Sequence, residues 1–114
     1  MIINELDEFR RDLKRLSKKY KSLPLDVDVL RKVLTVRPEV SPPFSYQINN
    51  LGIDTCVIKV RKIASKSFKG KGVNSGFRLV YAYFADEDRI VLVELYHKSM
   101  KENEDRDRIL KNFS

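Results

Sequence analysis

Apolar side chains recur at helical spacing in the first part of the chain. They are separated by steps of three or four residues, so they share one face of a helix, while lysines and arginines occupy the opposite face. The members of this stripe are Leu6, Phe9, Leu13, Leu16 and Tyr20. Pro24 ends the pattern, and a second helix is predicted over residues 26–34. The resulting helical hairpin needs a sheet to cover its apolar stripe.

Three later segments have the composition of β-strands. Residues 55–63 alternate, residues 76–85 are rich in aromatic and β-branched side chains, and residues 89–96 are nearly all apolar. Acidic residues 86–88 form the turn before the last segment, which predicts an antiparallel hairpin. Shorter elements are expected as a strand at 1–4, an extended piece at 44–48 and a charged helix at 103–112.

Two helices followed by three strands define an α+β fold. The chain has 114 residues, which indicates a single domain over residues 1–114. We expect two N-terminal helices packed on a curved antiparallel sheet of three to four strands, with a short C-terminal helix. One face of the sheet would lie under the helices, and the other would stay partly open.

Composition narrows the classes of partner. The formal net charge is +7, which favours a polyanion such as nucleic acid or an acidic protein segment. Cys56 is the only cysteine and His97 the only histidine, so neither an internal disulfide nor a Cys/His zinc site is expected, and no metal or cofactor is predicted. The sequence shows no signal peptide and no membrane-spanning segment, so a cytoplasmic protein without membrane association is expected.

Positive charge is concentrated between the first two predicted main strands, in KVRKIASKSFKGKGVNSGFR. Seven of these twenty residues are Lys or Arg, and none is acidic. Lys59 and Arg61 leave the same face of one strand, and Arg78 begins the next, so the three can hold a phosphate together. The other cations of this segment are Lys62, Lys66, Lys69 and Lys71. A solvated hairpin loop rich in lysine is the alternative, and composition leaves both interpretations open.

His97 lies between Tyr96 and Lys98 at the end of the last predicted strand. Histidine titrates near neutrality, so it can act as a general acid or base, although a lone histidine is usually structural or simply exposed. Both interpretations stay open on position alone.

Glu94 is an acidic residue within an apolar strand. An unpaired buried carboxylate is costly, so pairing with Arg78 or Lys59 across the sheet is expected, with a role as proton acceptor as the alternative.

Three pieces of sequence together resemble the RelE/ParE superfamily of toxins from toxin–antitoxin modules, and within it the RelE/HigB-like branch. They are IKVR at residues 58–61, GFRLVY at 76–81 and LYHKS at 95–99. The pieces occur in the family's order and, with the N-terminal helix FRRDLKRLSKKY, span nearly the whole chain.

The resemblance implies a toxin of a type II module that cleaves mRNA on the ribosome without a metal, through attack of a 2′-hydroxyl on the adjacent phosphate. By family position, Lys59 and Arg78 would bind or stabilise the phosphate, and His97 or Tyr96 would supply an acid, a base or a stacking aromatic. The wider RNA-binding set would be Arg61, Lys62, Lys66, Lys69, Lys71 and Lys98. A cognate antitoxin protein would neutralise the basic face, with mRNA on the ribosome as the other partner.

One departure from the family pattern keeps other functions open. RelE has a further Arg and a catalytic Tyr after the last strand, whereas residues 99–103 here read SMKEN. A binding module of the same fold without nuclease activity, either gyrase-directed or degenerate, is therefore an alternative. A nucleic-acid-binding domain without a toxin role is a third.

Overall fold

Eight main helices and strands build the chain, and the computed structural model describes all residues from 1 to 114. In chain order they are β1 Ile2–Glu5, α1 Asp7–Ser17, α2 Leu23–Val36, β2 Ser45–Gln47, β3 Cys56–Val60, β4 Phe77–Phe84, β5 Arg89–His97 and α3 Arg106–Phe113. Every element expected from the sequence pattern is present. Helix α2 begins earlier than predicted, because Pro24 lies in its first turn, where the missing N–H has no partner to lose.

The strands form one mixed sheet of five, in the order β1-β5-β4-β3-β2. The predicted α+β fold, with two N-terminal helices on a sheet and a short C-terminal helix, is confirmed. The sheet has five strands rather than three to four, and one of its pairs is parallel. Strand β1 runs parallel to β5, with Ile2 paired to Arg89 and Glu5 to Leu92. The periodicity of a four-residue strand carries no information on its direction, so the sequence could not predict this pairing.

Helices α1 and α2 cover one face of the sheet with the main hydrophobic core. Phe9 from α1 and Val27 from α2 are fully buried against Ile58, Tyr81 and Leu92 of the three central strands. Burial of this apolar stripe is the largest stabilising contribution that the pattern predicts.

The second face of the sheet is covered along much of its length. Ile109 of α3 is fully buried there, and the ring of Phe113 lies 6.1 Å from the ring of Phe84. The expectation of a partly open face holds only at the end of the sheet that carries Lys59 and Arg78.

Beyond the end of β1, side chains rather than a neighbouring strand provide hydrogen-bond partners for the backbone of β5. The Oδ2 atom of buried Asp12 accepts a hydrogen bond from the backbone N–H of Leu95 at 3.1 Å and forms an ion pair with Arg108 at 2.7 Å. Arg108 also donates to the backbone oxygen of Val93 at 2.9 Å. This network joins α1, β5 and α3 and fixes the C-terminal helix in place.

Candidate functional site

Cations from two adjacent strands meet at one open hollow, here called the basic cleft, with a volume of about 460 Å³. Strand alternation puts Lys59 and Arg61 on the same side of the sheet, and Arg78 lies beside them on β4. The segment that follows β5 forms the rest of the wall. The lining residues are Lys59, Arg61, Arg78, Lys98, Ser99, Met100, Lys101, Glu102 and Asn103.

The two arginines of the basic cleft have no carboxylate partner. Arg78 Nη1 donates to the backbone oxygens of Arg61 at 3.2 Å and Phe77 at 3.1 Å, which fixes the guanidinium without neutralising it. Partial burial and the charge of Arg61 lower the pKa of Arg78, yet an arginine remains charged at neutral pH. The two arginines therefore supply positive charge that is available to an anion, and the guanidinium of Arg78 is held in place.

Lys59, in contrast, is already paired. Its Nζ donates to Oε1 of Glu104 at 2.8 Å, and the side chain of Glu104 is only 6% exposed. Burial acts to raise the pKa of Glu104, but the hydrogen bond and charge of Lys59, with the charge of Arg106, lower it overall. Glu104 is therefore an ionised carboxylate that contacts Lys59 of the cleft wall, although Glu104 itself does not line the cleft. Sequence reasoning missed it, because the contact joins residues 45 positions apart.

Tyr96 lies on the same side of the sheet as the basic cleft and is 1% exposed. Its hydroxyl is the one buried side-chain polar atom without a hydrogen-bond partner. Burial, together with the charges of Glu104 and Glu94, raises the pKa of Tyr96 to about 12. The positive charges of Arg78 and Arg61 act in the opposite direction. The hydroxyl therefore keeps its proton at neutral pH.

Glu94 pairs with neither Arg78 nor Lys59, so the expected cross-sheet partners are wrong. It forms an ion pair with Lys101, and its Oε1 accepts a hydrogen bond from the backbone N–H of Asp105 at 2.8 Å. Both partners belong to the segment between β5 and α3, which folds back over the sheet and meets Glu94 there. We call this segment, residues 98–105, the C-terminal strap.

His97 is on the opposite side of the sheet from the basic cleft. Its ring stacks on Phe68, with centroids 5.0 Å apart, and it is 6% exposed. Both ring nitrogens are occupied, Nε2 by the backbone oxygen of Ser75 at 2.9 Å and Nδ1 by the hydroxyl of Ser99 at 2.8 Å. A Cβ on Gly76 would lie 2.6 Å from Nε2, so the backbone approaches the ring closely. The structure does not bring His97 together with Lys59 and Arg78, because the pleat turns consecutive residues to opposite faces.

The lysine-rich loop is held against α2 rather than over the basic cleft. The hydroxyl of Ser65 donates to Oδ2 of Asp26 at 2.6 Å, which fixes the start of the loop to the helix. Lys66 and Lys69 line a separate hollow beside Asp26, and Lys71 is exposed to solvent. These three lysines do not join Arg61 and Arg78.

A second hollow of about 240 Å³, here called the side cleft, adjoins the basic cleft and shares Arg61, Arg78 and Lys98 with it. Lys62 also lines it, and its Nζ donates to Oδ1 of Asn74 at 3.0 Å. Of the six residues predicted to bind RNA, three therefore gather around Arg78. They are Arg61, Lys62 and Lys98.

Comparisons with known proteins support the fold. No protein-family model and no curated protein matches the chain. It is similar to a crystal structure of a metal-bound toxin from Helicobacter pylori, with a TM-score of 0.56 and 21% identity over 88% of this chain and 97% of that one. A crystal structure of a copper-bound mutant toxin from the same organism matches with a TM-score of 0.52 and 19% identity over the same shares. At these identities the likeness shows a shared fold.

No three His, Cys, Asp or Glu side chains come together in a way that could hold a metal ion. None of the helices has the length and apolar content that crossing a bilayer requires.

Proposed function

We propose that this protein is the toxin of a type II toxin–antitoxin module and a ribosome-dependent mRNA endoribonuclease. The observation that carries the proposal is the pair Arg61 and Arg78, two cations from adjacent strands that open on one cleft and have no carboxylate partner. The shared fold with two structures of a bacterial toxin supports the toxin role. The sequence resemblance to RelE-like toxins supports the same assignment.

The proposed reaction is an internal transfer at a phosphodiester. The 2′-hydroxyl of one nucleotide attacks the adjacent phosphorus, the bond from phosphorus to the 5′ oxygen breaks, and the products carry a 2′,3′-cyclic phosphate and a 5′-hydroxyl. Negative charge builds on the phosphate oxygens in the transition state. Arg61 and Arg78 stabilise that charge, and donors already in position are more effective than mobile ones.

Two residues account for the protons of this reaction. Glu104 is ionised and accepts the proton from the 2′-hydroxyl, with Lys59 holding its carboxylate in place. Tyr96 retains its proton and is the proposed donor to the departing 5′ oxygen, which requires the buried hydroxyl to become accessible when RNA binds. This proposal keeps the roles that the resemblance implies for Arg78 and Tyr96, gives Lys59 the different role of positioning Glu104, and puts Glu104 in the place of His97.

Expression in bacteria followed by primer extension on translated mRNA tests the proposal. The wild-type protein should arrest growth and produce cuts within open reading frames. A double substitution, Arg61→Ala with Arg78→Ala, should abolish both effects, while Arg11→Ala removes an exposed arginine on α1 and should leave them unchanged. Cuts of equal intensity from the double variant would contradict the assignment.

A cognate antitoxin is part of the proposal. The formal net charge of +7 and the open basic cleft suit an acidic segment that folds on binding. Titration calorimetry with the product of the adjacent gene should show binding that weakens as salt rises. If the product of the adjacent gene does not bind, the proposed antitoxin partner is wrong.

A gyrase-directed binding module is the second candidate. Two observations favour it: Lys59 is already paired with Glu104, and His97 lies on the opposite side of the sheet from the basic cleft. Both reduce the number of groups available for catalysis. Growth arrest with intact mRNA and inhibited DNA supercoiling would select this function over RNA cleavage.

A further inference from the structure

Tyr46 is an exposed aromatic side chain surrounded by lysines and arginines. It lies on β2, the edge strand of the sheet, and 41% of its surface is accessible. It pairs with Lys59 in the antiparallel register, so both side chains leave the sheet on the side of the basic cleft. Nothing in the sequence pattern singled it out, because it falls in the short extended piece between Pro43 and the pair Asn49-Asn50.

The ring of Tyr46 lines the side cleft together with cations. The guanidinium carbon of Arg61 lies 5.8 Å from the ring centroid, within the range of a cation–π contact. Arg78 and Lys98 line the same hollow, and no carboxylate does. The side cleft therefore offers one planar apolar surface directly beside the two arginines that would hold a phosphate.

We propose that Tyr46 is the stacking platform for a nucleobase whose phosphate is held by Arg61 and Arg78. Single-stranded nucleic acids are bound by this combination, a cationic groove that follows the backbone and an aromatic face for the base. The carboxylates of an acidic peptide would bind the cations alone, and such a peptide has no planar base to stack on the exposed ring. The proposal rests on RNA being the ligand of the basic cleft, and it adds a nucleotide subsite at the edge of the sheet.

Binding of short labelled RNA tests the subsite without depending on cleavage. The probes are a single-stranded RNA pentanucleotide with 2′-O-methyl sugars, which cannot be cut by 2′-hydroxyl attack, and a series in which each position in turn is abasic. For the wild-type protein, one abasic position should weaken binding about 10-fold, the typical effect of one stacked base. Tyr46→Ala should bind the intact probe about 10-fold more weakly and lose the penalty at that position. Tyr46→Phe keeps the ring and should behave as the wild type.

The controls separate this subsite from general charge effects and from the proposed reaction. Val36→Ala shortens another exposed apolar side chain, 79% accessible on α2, and should change nothing. If Tyr46→Ala binds every probe as the wild type does, the subsite is wrong, and the nuclease proposal is untouched. If mRNA is never cut but the abasic penalty depends on Tyr46, the subsite stands and the reaction fails. Tyr46-dependent binding of an oligoglutamate peptide but not of RNA would overturn the subsite in favour of a protein partner.

Discussion

Replacing Glu104 with glutamine separates binding from catalysis at the basic cleft. Glu104→Gln keeps the shape of the side chain and removes its charge, so Lys59 loses the partner that lies 2.8 Å away. Lys59 then becomes one further cation for the phosphate backbone. The account therefore predicts that one substitution strengthens RNA binding and weakens RNA cleavage.

The magnitudes follow from the geometry. Hydrogen bonds to charged groups contribute about 1.5–3 kcal/mol, and Lys59 is 18% exposed, so water partly replaces the lost partner and the free energy of unfolding should fall by about 1–2 kcal/mol. One further phosphate neutralised on a single strand steepens the slope of log affinity against log salt by about 0.7. Loss of a general base lowers the cleavage rate by about 100-fold or more.

Fluorescence anisotropy with a labelled non-cleavable RNA, measured across a salt series, gives the slope, and urea denaturation gives the stability. Glu102→Gln is the matched control, because Glu102 lines the basic cleft, is exposed and forms no ion pair, yet the charge change is identical. The reasoning is refuted if both variants steepen the slope equally, or if Glu104→Gln cleaves translated mRNA as fast as the wild type.

Three other outcomes test the fold and its electrostatics. Asp12→Ala leaves Arg108 and the N–H of Leu95 without their buried partner, so urea denaturation should show that the free energy of unfolding falls by about 3 kcal/mol. Asp28→Ala removes an exposed ion pair and should lower it by less than about 1 kcal/mol; equal losses would contradict the buried network. Gly76→Ala should lower the midpoint of thermal unfolding more than Gly70→Ala does. Both glycines have a positive φ, but only at Gly76 would the new Cβ meet the side chain of His97. Equal shifts of the midpoint would contradict the close approach of Gly76 to the ring. The lowered pKa of Glu104 means that its ion pair stabilises the fold fully above the unfolded pKa of about 4.3, and that this stabilisation is lost as the pH falls through the lower folded pKa. The stability difference between wild type and Glu104→Gln should therefore shrink on acidification below about pH 4.3, and a difference that grows instead would contradict the pairing.

Local periodicity predicted much of the fold. The stripe that contains Phe9 and Leu16 identified α1, and the alternation around Val57 and Ile58 identified β3 with each residue on its observed face. The gathering of Arg61 with Arg78 followed from the same alternation, because two antiparallel neighbours present matching faces. Period and composition were sufficient for these features.

Other parts of the site depend on tertiary contacts that no local pattern encodes. Glu104 reaches Lys59 only because α3 is anchored by Arg108 to Asp12, on a helix at the other end of the chain. His97 was grouped with Lys59 by position, whereas the pleat and the packing of Phe68 direct it to the helix side. The contact between Lys59 and Glu104 and the orientation of His97 both depend on how distant segments of the chain pack together.

The proposed reaction requires a 2′-hydroxyl on the nucleotide immediately 5′ of the cut, so removing that hydroxyl from one position of an mRNA tests it. Purified ribosomes carrying a defined mRNA are mixed with the protein, once with an all-ribose mRNA and once with a single 2′-deoxy nucleotide immediately 5′ of the cut. The account predicts a 2′,3′-cyclic phosphate end from the first mRNA and no cut at that position in the second. Cleavage of the deoxy-substituted mRNA at an undiminished rate would contradict it.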